Sequence, residues 1–235
     1  MRAIILAAGR GSRMGPLTDH QPKCLTEVYG KPLIEHQIHA LAEAGIKDID
    51  IVTGYQSEQL QDYGTHNFYN ANWQQTNMVA SLLCARAWLD NYDCIISYSD
   101  IYYGKQIVQD LMDSSEEIAT AYDPNWLELW SKRFNDPLDD AETFRINENG
   151  YLLEIGQKPQ TIEEIQGQYM GLLKFKAGVL SKYLEILSDL DIERIDMTSL
   201  LNHLTLKGKR IKTIPIYDAF FEIDAESDLN IMGIK

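Results

Sequence analysis

The sequence predicts an α/β fold built on a mostly parallel, mixed sheet flanked by helices. Three observations predict it. Residues 2–8, RAIILAA, form an unbroken apolar run, the pattern of a strand buried on both faces. A helix-like segment and a second apolar run follow it, making one βαβ unit by residue 54. The same alternation continues to about residue 122.

Taken in order, Pro32 opens PLIEHQIHALAEAG, with Leu33, Ile34, Ile38 and Leu41 on one face and Gly45 as its stop. IDIVTG (49–54) reads as the second strand. Residues 77–90 read as a helix, and DCIISYSD (93–100) as a strand ending in Asp100. A helix near 105–113 and a strand near 117–122 follow. The polar, Trp-containing stretch 123–141 reads as an insertion or long loop. ETFRIN and GYLLEIG flank Glu148-Asn149-Gly150, a hairpin turn. QYMGLLKF (168–175) is a strand, and helices near 177–188 and 197–206 lead to RIKTIPI (210–216), FFEID (220–224) and a last helical turn or two.

The chain has 235 residues, 45% of them hydrophobic, enough to bury a core without a disulfide or metal staple. Its formal net charge of -14 argues against a general binder of nucleic acid or anionic membrane, since both need a basic face. Cys24, Cys84 and Cys94 form no CxxC pair and suit reduced thiols. The first apolar run is too short for a signal peptide, and no stretch reaches transmembrane length. A cytoplasmic protein is expected.

The first loop stands out in so acidic a chain. AIILAAGRGSRMGPLTDHQPKCL (3–25) stops an apolar run at a glycine and continues with two more glycines, two arginines and a lysine. Ligands of parallel sheets bind beyond the carboxyl ends of the strands. Gly9 and Gly11 let backbone N–H groups approach an anion, and Arg10, Arg13 and Lys23 supply charge. Two familiar phosphate loops do not fit. Each Gly-Lys pair lacks a following Ser or Thr, which excludes GxxxxGK(S/T). The glycines run GxGxxxG, and Pro16 and Pro22 prevent a helix from starting directly after them. A Gly-rich turn with solvated charges is the plain alternative.

LAAGRGSRMGPLTDHQPKCL, followed by GKPLIEHQI, resembles the signature of the nucleotidyltransferases that make sugar nucleotides and related activated compounds, LAAGxGxRxxPLTxxxPKxLxxxxxKPLI, over residues 6–34. The resemblance implies a Rossmann-like fold, a nucleoside triphosphate substrate, Mg²⁺ and release of pyrophosphate. It places Leu6, Ala7, Ala8, Gly9, Gly11 and Ser12 at the nucleotide, Arg13 at the triphosphate, and Lys23 at the phosphates of the reacting centre. With no internal repeat, low-complexity tract or linker, the chain reads as a single domain, 1–235, with a nucleotide-binding half (1–122) and an acceptor-binding half (123–235) that closes over it.

Asp100 ends a strand on the ligand side of the sheet, where the family's Asp binds Mg²⁺; a solvated or helix-capping Asp is its plainer reading. FFEIDAESDL resembles the family's late W-x-(D/E)-(I/V)-(D/N)-x-x-x-DL element, which makes Asp224 the second metal ligand. Glu222, on the same strand face, is the alternative ligand, and Asp228 reads as part of a helix start. The five histidines show no metal-ligand spacing.

NANWQQTNMVASLLCA (70–85) resembles N-x-x-(Y/W)-x-x-(T/S)-N-(N/M)-x-x-S-L of the phosphocholine cytidylyltransferase-like branch, which favours CTP. Thr76 is a candidate helix N-cap, Asn77 offers an amide to a pyrimidine edge, and Ser81 lies one turn on; a plain capped helix is the alternative. For the acceptor, GQKP resembles the family's EKP element and singles out Lys158. QYMGLLKF resembles strands of cytidylyltransferases for phosphocholine, phosphonates and phosphorylated amino-acid derivatives, with Tyr169 nearby and Gly171 allowing close approach. Trp126 and other aromatics, with Asp140 and Glu142, suit a cationic acceptor, or else pack a core or insertion. Arg133 reads equally as a grip on the acceptor phosphate or as an exposed ion pair.

The expected activity is therefore a Mg²⁺-dependent transfer of CMP from CTP to a small phosphorylated or phosphonylated acceptor. Its partners would be CTP and that acceptor, with no nucleic acid or membrane, in a monomer or homodimer. Two alternatives stand beside it. One is a sugar-1-phosphate nucleotidyltransferase using UTP, dTTP or GTP; the other is an inactive nucleotide-sensing subunit.

Overall fold

A computed structural model describes residues 1–186, 191–231 and 233. The chain opens with β1 (Arg2–Ala7), followed by 3-10 turns at Ser12–Thr18 and Lys23–Leu25. A small ribbon, β2 (Glu27–Val28) and β3 (Lys31–Pro32), leads into α1 (Leu33–Glu43). Next come β4 (Ile49–Thr53), β5 (Asn67–Tyr69), α2 (Met78–Leu83) and α3 (Arg86–Asn91). β6 (Cys94–Tyr98), β7 (Ile101–Tyr102), α4 (Lys105–Asp113), β8 (Ile118–Asp123) and α5 (Trp126–Arg133) complete the middle of the chain. The remainder is β9 (Phe144–Ile146), β10 (Leu152–Ile155), β11 (Gln168–Phe175), α6 (Val179–Ile186), α7 (Met197–Leu206), β12 (Lys212–Pro215), β13 (Phe221–Glu222) and α8 (Glu226–Ile231).

The main sheet runs β12-β8-β11-β6-β1-β4-β5. Every neighbouring pair is parallel except those of β11, which lies antiparallel to both β6 and β8. The expected mixed, mostly parallel α/β architecture is thus present. Both faces are covered, which is why β1 is apolar throughout. Ile4 and Leu6 join one core with Leu82, Leu180 and Leu201 of the helices on that side. Ala3 and Ile5 join the other with Ile34 and Leu41 of α1 and Ile107 and Leu111 of α4.

Three local expectations change. The single helix over 77–90 is two, broken at Cys84 and Ala85. The stretch 123–141 is not only loop, because it contains α5. Trp126 and Trp130 stand one helical turn apart and pack with Ala141 and Ile165 in a separate apolar cluster. Asn67–Tyr69 adds an edge strand, β5, that no apolar pattern announced. The expected helix end at 187–188 lies outside the described residues.

The reversal of β11 has a consequence for position. Its first residues, Gln168 and Tyr169, pair with Asp123 and Tyr122 at the end of β8. They therefore share one edge of the sheet with the carboxyl ends of β1, β4 and β6. Among the described residues no helix is long and apolar enough to cross a membrane.

Candidate active site

The loop after β1 is built around Lys23. Gly11 has φ +70, and a Cβ there would lie 2.7 Å from the Lys23 Cδ. Glycine is needed both for the backbone turn and for the passage of the lysine stem. Buried Thr18 pins the loop by donating to the carbonyls of Gly11 (3.1 Å) and Gly15 (3.3 Å). Tyr55, just beyond β4, donates to the carbonyls of Thr18 and Asp19.

Two carboxylates converge on this lysine. Lys23 Nζ donates to Asp100 Oδ2 at 2.9 Å and to Asp224 Oδ1 at 2.6 Å. The two aspartates meet because β7 and β13 pair antiparallel, Tyr102 with Phe221 and Ile101 with Glu222. Ile223 N also donates to the Asp100 carbonyl at 2.9 Å. From α1, buried Gln37 donates to the carbonyls of Tyr98 (2.8 Å) and Ile101 (2.6 Å), fixing the turn that carries Asp100. Arg13 reaches the same centre, with Nη2 2.9 Å from Asp224 Oδ1.

These contacts set the protonation states. Burial pulls the Lys23 ammonium down, but Asp100 and Asp224 outweigh it and hold the group above its ordinary value. Burial pushes Asp224 up, but Lys23, Arg13 and Arg133 outweigh it and hold the carboxyl below its ordinary value. Lys23 is a cation and Asp224 an anion at neutral pH.

A cleft opens from this charged end. Its lining combines the charged Arg13, Lys23 and Asp100 with Gly9 and Gly11, the apolar Leu6, Ala8, Trp73 and Met78, and Thr76, Asn77, Ser81, Tyr98 and Ser99. Trp73 packs closely on Gly54, where a Cβ would come within 2.8 Å of the Trp73 Cβ and Cγ. Cationic, apolar and hydrogen-bonding side chains thus line one cleft, the mix that a nucleotide's phosphates, base and sugar require. Trp73, Met78, Tyr98 and Ser99 join the residues expected from sequence in this lining. Trp73 occupies the aromatic slot of the quoted NANWQQTN stretch, and Tyr98 and Ser99 immediately precede Asp100.

Several expected residues fall elsewhere. Ala7 faces the opposite core. Ser12 is exposed on the 3-10 turn and does not line the cleft. The N-cap of α2 is Asn77, not Thr76. Asn77 lines the cleft, and its amide accepts from Met78 N at 2.7 Å and donates to the Arg194 carbonyl at 3.1 Å, which leaves one N–H and one lone pair for a ligand. Trp126 is buried in the α5 cluster. Lys158 donates to the carbonyls of Leu138 and Asp139, securing the turn at 137–139. Gly171, at φ +70, admits the ring of Tyr98, since a Cβ there would lie 2.6 Å from its Cγ. Tyr169 makes an edge contact with that ring, centroids 5.7 Å apart.

Arg133 is neither an exposed arginine nor an open grip for phosphate. Its side chain is 2% exposed and bonds Glu222 (2.8 Å), Asp224 (3.3 Å) and Asp228 (3.1 Å). Asp228 in turn accepts from the backbone N–H groups of Asp224 (2.7 Å) and Ala225 (2.9 Å) at the start of α8. Arg133 thus ties α5 to the strand and helix that carry Asp224. Glu142 is partly buried, and burial followed by the nearby Asp196 charge raises its carboxyl.

Comparison with known proteins identifies the family. Residues 3–148 match the model of the MobA-like NTP transferase domain. The chain is 41% identical to the CTP:phosphoglutamine cytidylyltransferase of Campylobacter jejuni over 250 aligned positions, 98% of each chain. It is 44% identical over 95 positions to the choline-phosphate cytidylyltransferase of Streptococcus pneumoniae, 39% of this chain and 42% of that one. The inositol-1-phosphate CTP transferase from T. maritima superposes with a TM-score of 0.76 at 19% identity, covering 99% of this chain and 93% of that one, a likeness of fold. The chain therefore belongs to the MobA-like NTP transferase family and is a nucleotidyltransferase.

Proposed function

We propose that the protein transfers CMP from CTP to a phosphate or phosphonate oxygen of a small acceptor, releasing pyrophosphate. The observation that carries this reading is the 41% identity, over 98% of both chains, to a protein named for CTP and phosphoglutamine. A phosphorylated amino-acid derivative is accordingly the favoured acceptor.

In this reaction an acceptor oxygen attacks the α-phosphorus, and the bond to the bridging oxygen of pyrophosphate breaks. Both partners are anions, so the protein's work is neutralisation and alignment. Lys23 lies where charge develops on the α-phosphoryl oxygens, Arg13 supports the triphosphate, and the Gly9–Gly11 backbone lets phosphate approach. No covalent intermediate or general base is needed.

Asp100 and Asp224 would hold Mg²⁺, with Glu222 beside them. The residues fit such an ion. Asp100 lines the cleft, and its Oδ1 is buried with no hydrogen-bond partner among the described residues. Among the described residues no group of three or more His, Cys, Asp or Glu could hold an ion unaided. That suits an ion that takes one or two carboxylates and completes its shell with water and substrate phosphates. When bound, Mg²⁺ neutralises phosphate charge and orients the leaving pyrophosphate.

The test is pyrophosphate release with each of CTP, UTP, dTTP and GTP, across a panel of acceptors. Turnover with CTP and a phosphorylated amino-acid derivative is expected. Turnover confined to hexose-1-phosphates would overturn the reading, and none with any pair would favour a nucleotide-sensing role.

A further inference from the structure

Asn70 lies just past β5, outside the charged centre, and is 5% exposed. Its amide is oriented without ambiguity. The backbone N–H of Asn72 donates to Asn70 Oδ1 at 3.0 Å, which leaves Nδ2 on the opposite side. From there Nδ2 donates to two hydroxyl oxygens, Thr76 Oγ1 and Ser81 Oγ, each at 3.0 Å. A hydroxyl that accepts in this way must send its own hydrogen elsewhere. Thr76 donates to the Asn72 carbonyl at 3.0 Å. Among the described residues Ser81 finds only the Asn77 carbonyl at 3.5 Å, the limit of hydrogen-bond range. Ser81 also lines the cleft. Its proton is thus the loosely held one, and a ligand acceptor in the cleft can take it.

The direction of that bond matters to a pyrimidine. Cytosine carries a bare acceptor at N3, where uracil carries N3–H. A hydroxyl whose proton points into the cleft matches the first; to meet the second it must turn that proton to the Asn77 carbonyl, 3.5 Å away, and accept on its one remaining lone pair, a poorer arrangement. We propose that Asn70 is a positioning residue that fixes the Ser81 hydroxyl as a donor toward base N3, and so selects CTP over UTP. The proposal rests on the cytidylyltransferase reading above. It gives the buried amide a role in base selection beyond shaping the 70–76 loop.

The experiment compares kcat/KM for CTP and for UTP in the wild type, Asn70→Asp, Ser81→Ala and the double variant, with thermal melts to check folding. Aspartate keeps the shape of the amide but accepts where Asn70 Nδ2 donates. The Ser81 hydroxyl then turns away from the base. The CTP-to-UTP ratio should fall by about tenfold or more in Asn70→Asp, the scale of one well-made hydrogen bond. It should fall similarly in Ser81→Ala, and the double variant should show no further loss. A ratio that stays within about twofold of wild type in folded Asn70→Asp would overturn the proposal. So would an unchanged ratio in Ser81→Ala, which decides the matter if Asn70→Asp does not fold. A wild type without CTP preference would instead overturn the underlying reading.

Discussion

Lys23 and Asp224 are 201 residues apart in sequence, yet the lysine ammonium lies 2.6 Å from the aspartate Oδ1. The pairing of β7 with β13 creates this contact, and Gly11 leaves the lysine stem room to reach it. Neutralising developing phosphate charge is the task assigned to Lys23. Lys23→Ala is therefore expected to lower kcat by about a hundredfold to a thousandfold, the usual loss when one preorganised charge-stabilising donor is removed. The far-ultraviolet circular dichroism should stay native. A near-normal kcat in that variant would remove Lys23 from the reaction.

Arg133 makes a different prediction, because its three carboxylate partners are on the C-terminal segment rather than on substrate. Arg133→Met leaves Asp224 and Asp228 buried without their guanidinium. Urea unfolding should show a loss of about 3–5 kcal/mol, as when one partner of a buried ion pair is removed. An unchanged unfolding midpoint with a raised acceptor KM would restore the phosphate-binding role.

The two glycines of the first loop should behave unlike each other. Gly11→Ala puts a Cβ 2.7 Å from the Lys23 Cδ at a left-handed backbone position. It should cost about 1–2 kcal/mol of stability through backbone strain. Displacing the lysine should also cost activity, on the order of a hundredfold. Gly9→Ala meets no atom of the chain within 4 Å. It should leave the melting temperature unchanged and raise the KM for nucleotide, because the methyl stands where phosphate approaches.

Protonation supplies a further check. Asp224 is held below its ordinary value of 3.8, so its favourable interactions stabilise the fold above that pH and are lost as pH falls through the folded value. Asp224→Asn lacks this contribution at every pH. Urea midpoints measured from pH 7 down to pH 3 should therefore show the variant less stable at neutrality, with the gap closing in acid. A gap independent of pH would show that the carboxylate is not stabilised by Lys23, Arg13 and Arg133.

Local patterns carried most of the fold. The run RAIILAA, the Pro32-to-Gly45 helix and the Glu148-Asn149-Gly150 turn each announce one element from its own residues, and the structure forms all three. The direction of β11 was not legible, because antiparallel and parallel strands buried on both faces have the same composition. The stretch 123–141 read as an insertion because its polar residues mask the four-residue spacing of Trp126 and Trp130, which the structure places on one face of α5. For the site, the loop signature and the two aspartates were readable as types. Their contacts were not: the partners of Arg133 lie 89 to 95 residues away, and no local feature links them. The Asn70–Ser81 bond was hidden for a related reason, since the direction of a hydroxyl proton depends on every neighbour at once.

The most direct measurement is phosphorus NMR of the purified protein with CTP, Mg²⁺ and a phosphorylated amino-acid derivative, run beside Asp100→Asn and Asp224→Asn. The wild type is expected to convert the triphosphate and acceptor signals into a new diphosphate diester and pyrophosphate, and both variants to lose nearly all of that conversion. Equal conversion by wild type and the two variants would contradict a reaction centred on Lys23, Asp100 and Asp224.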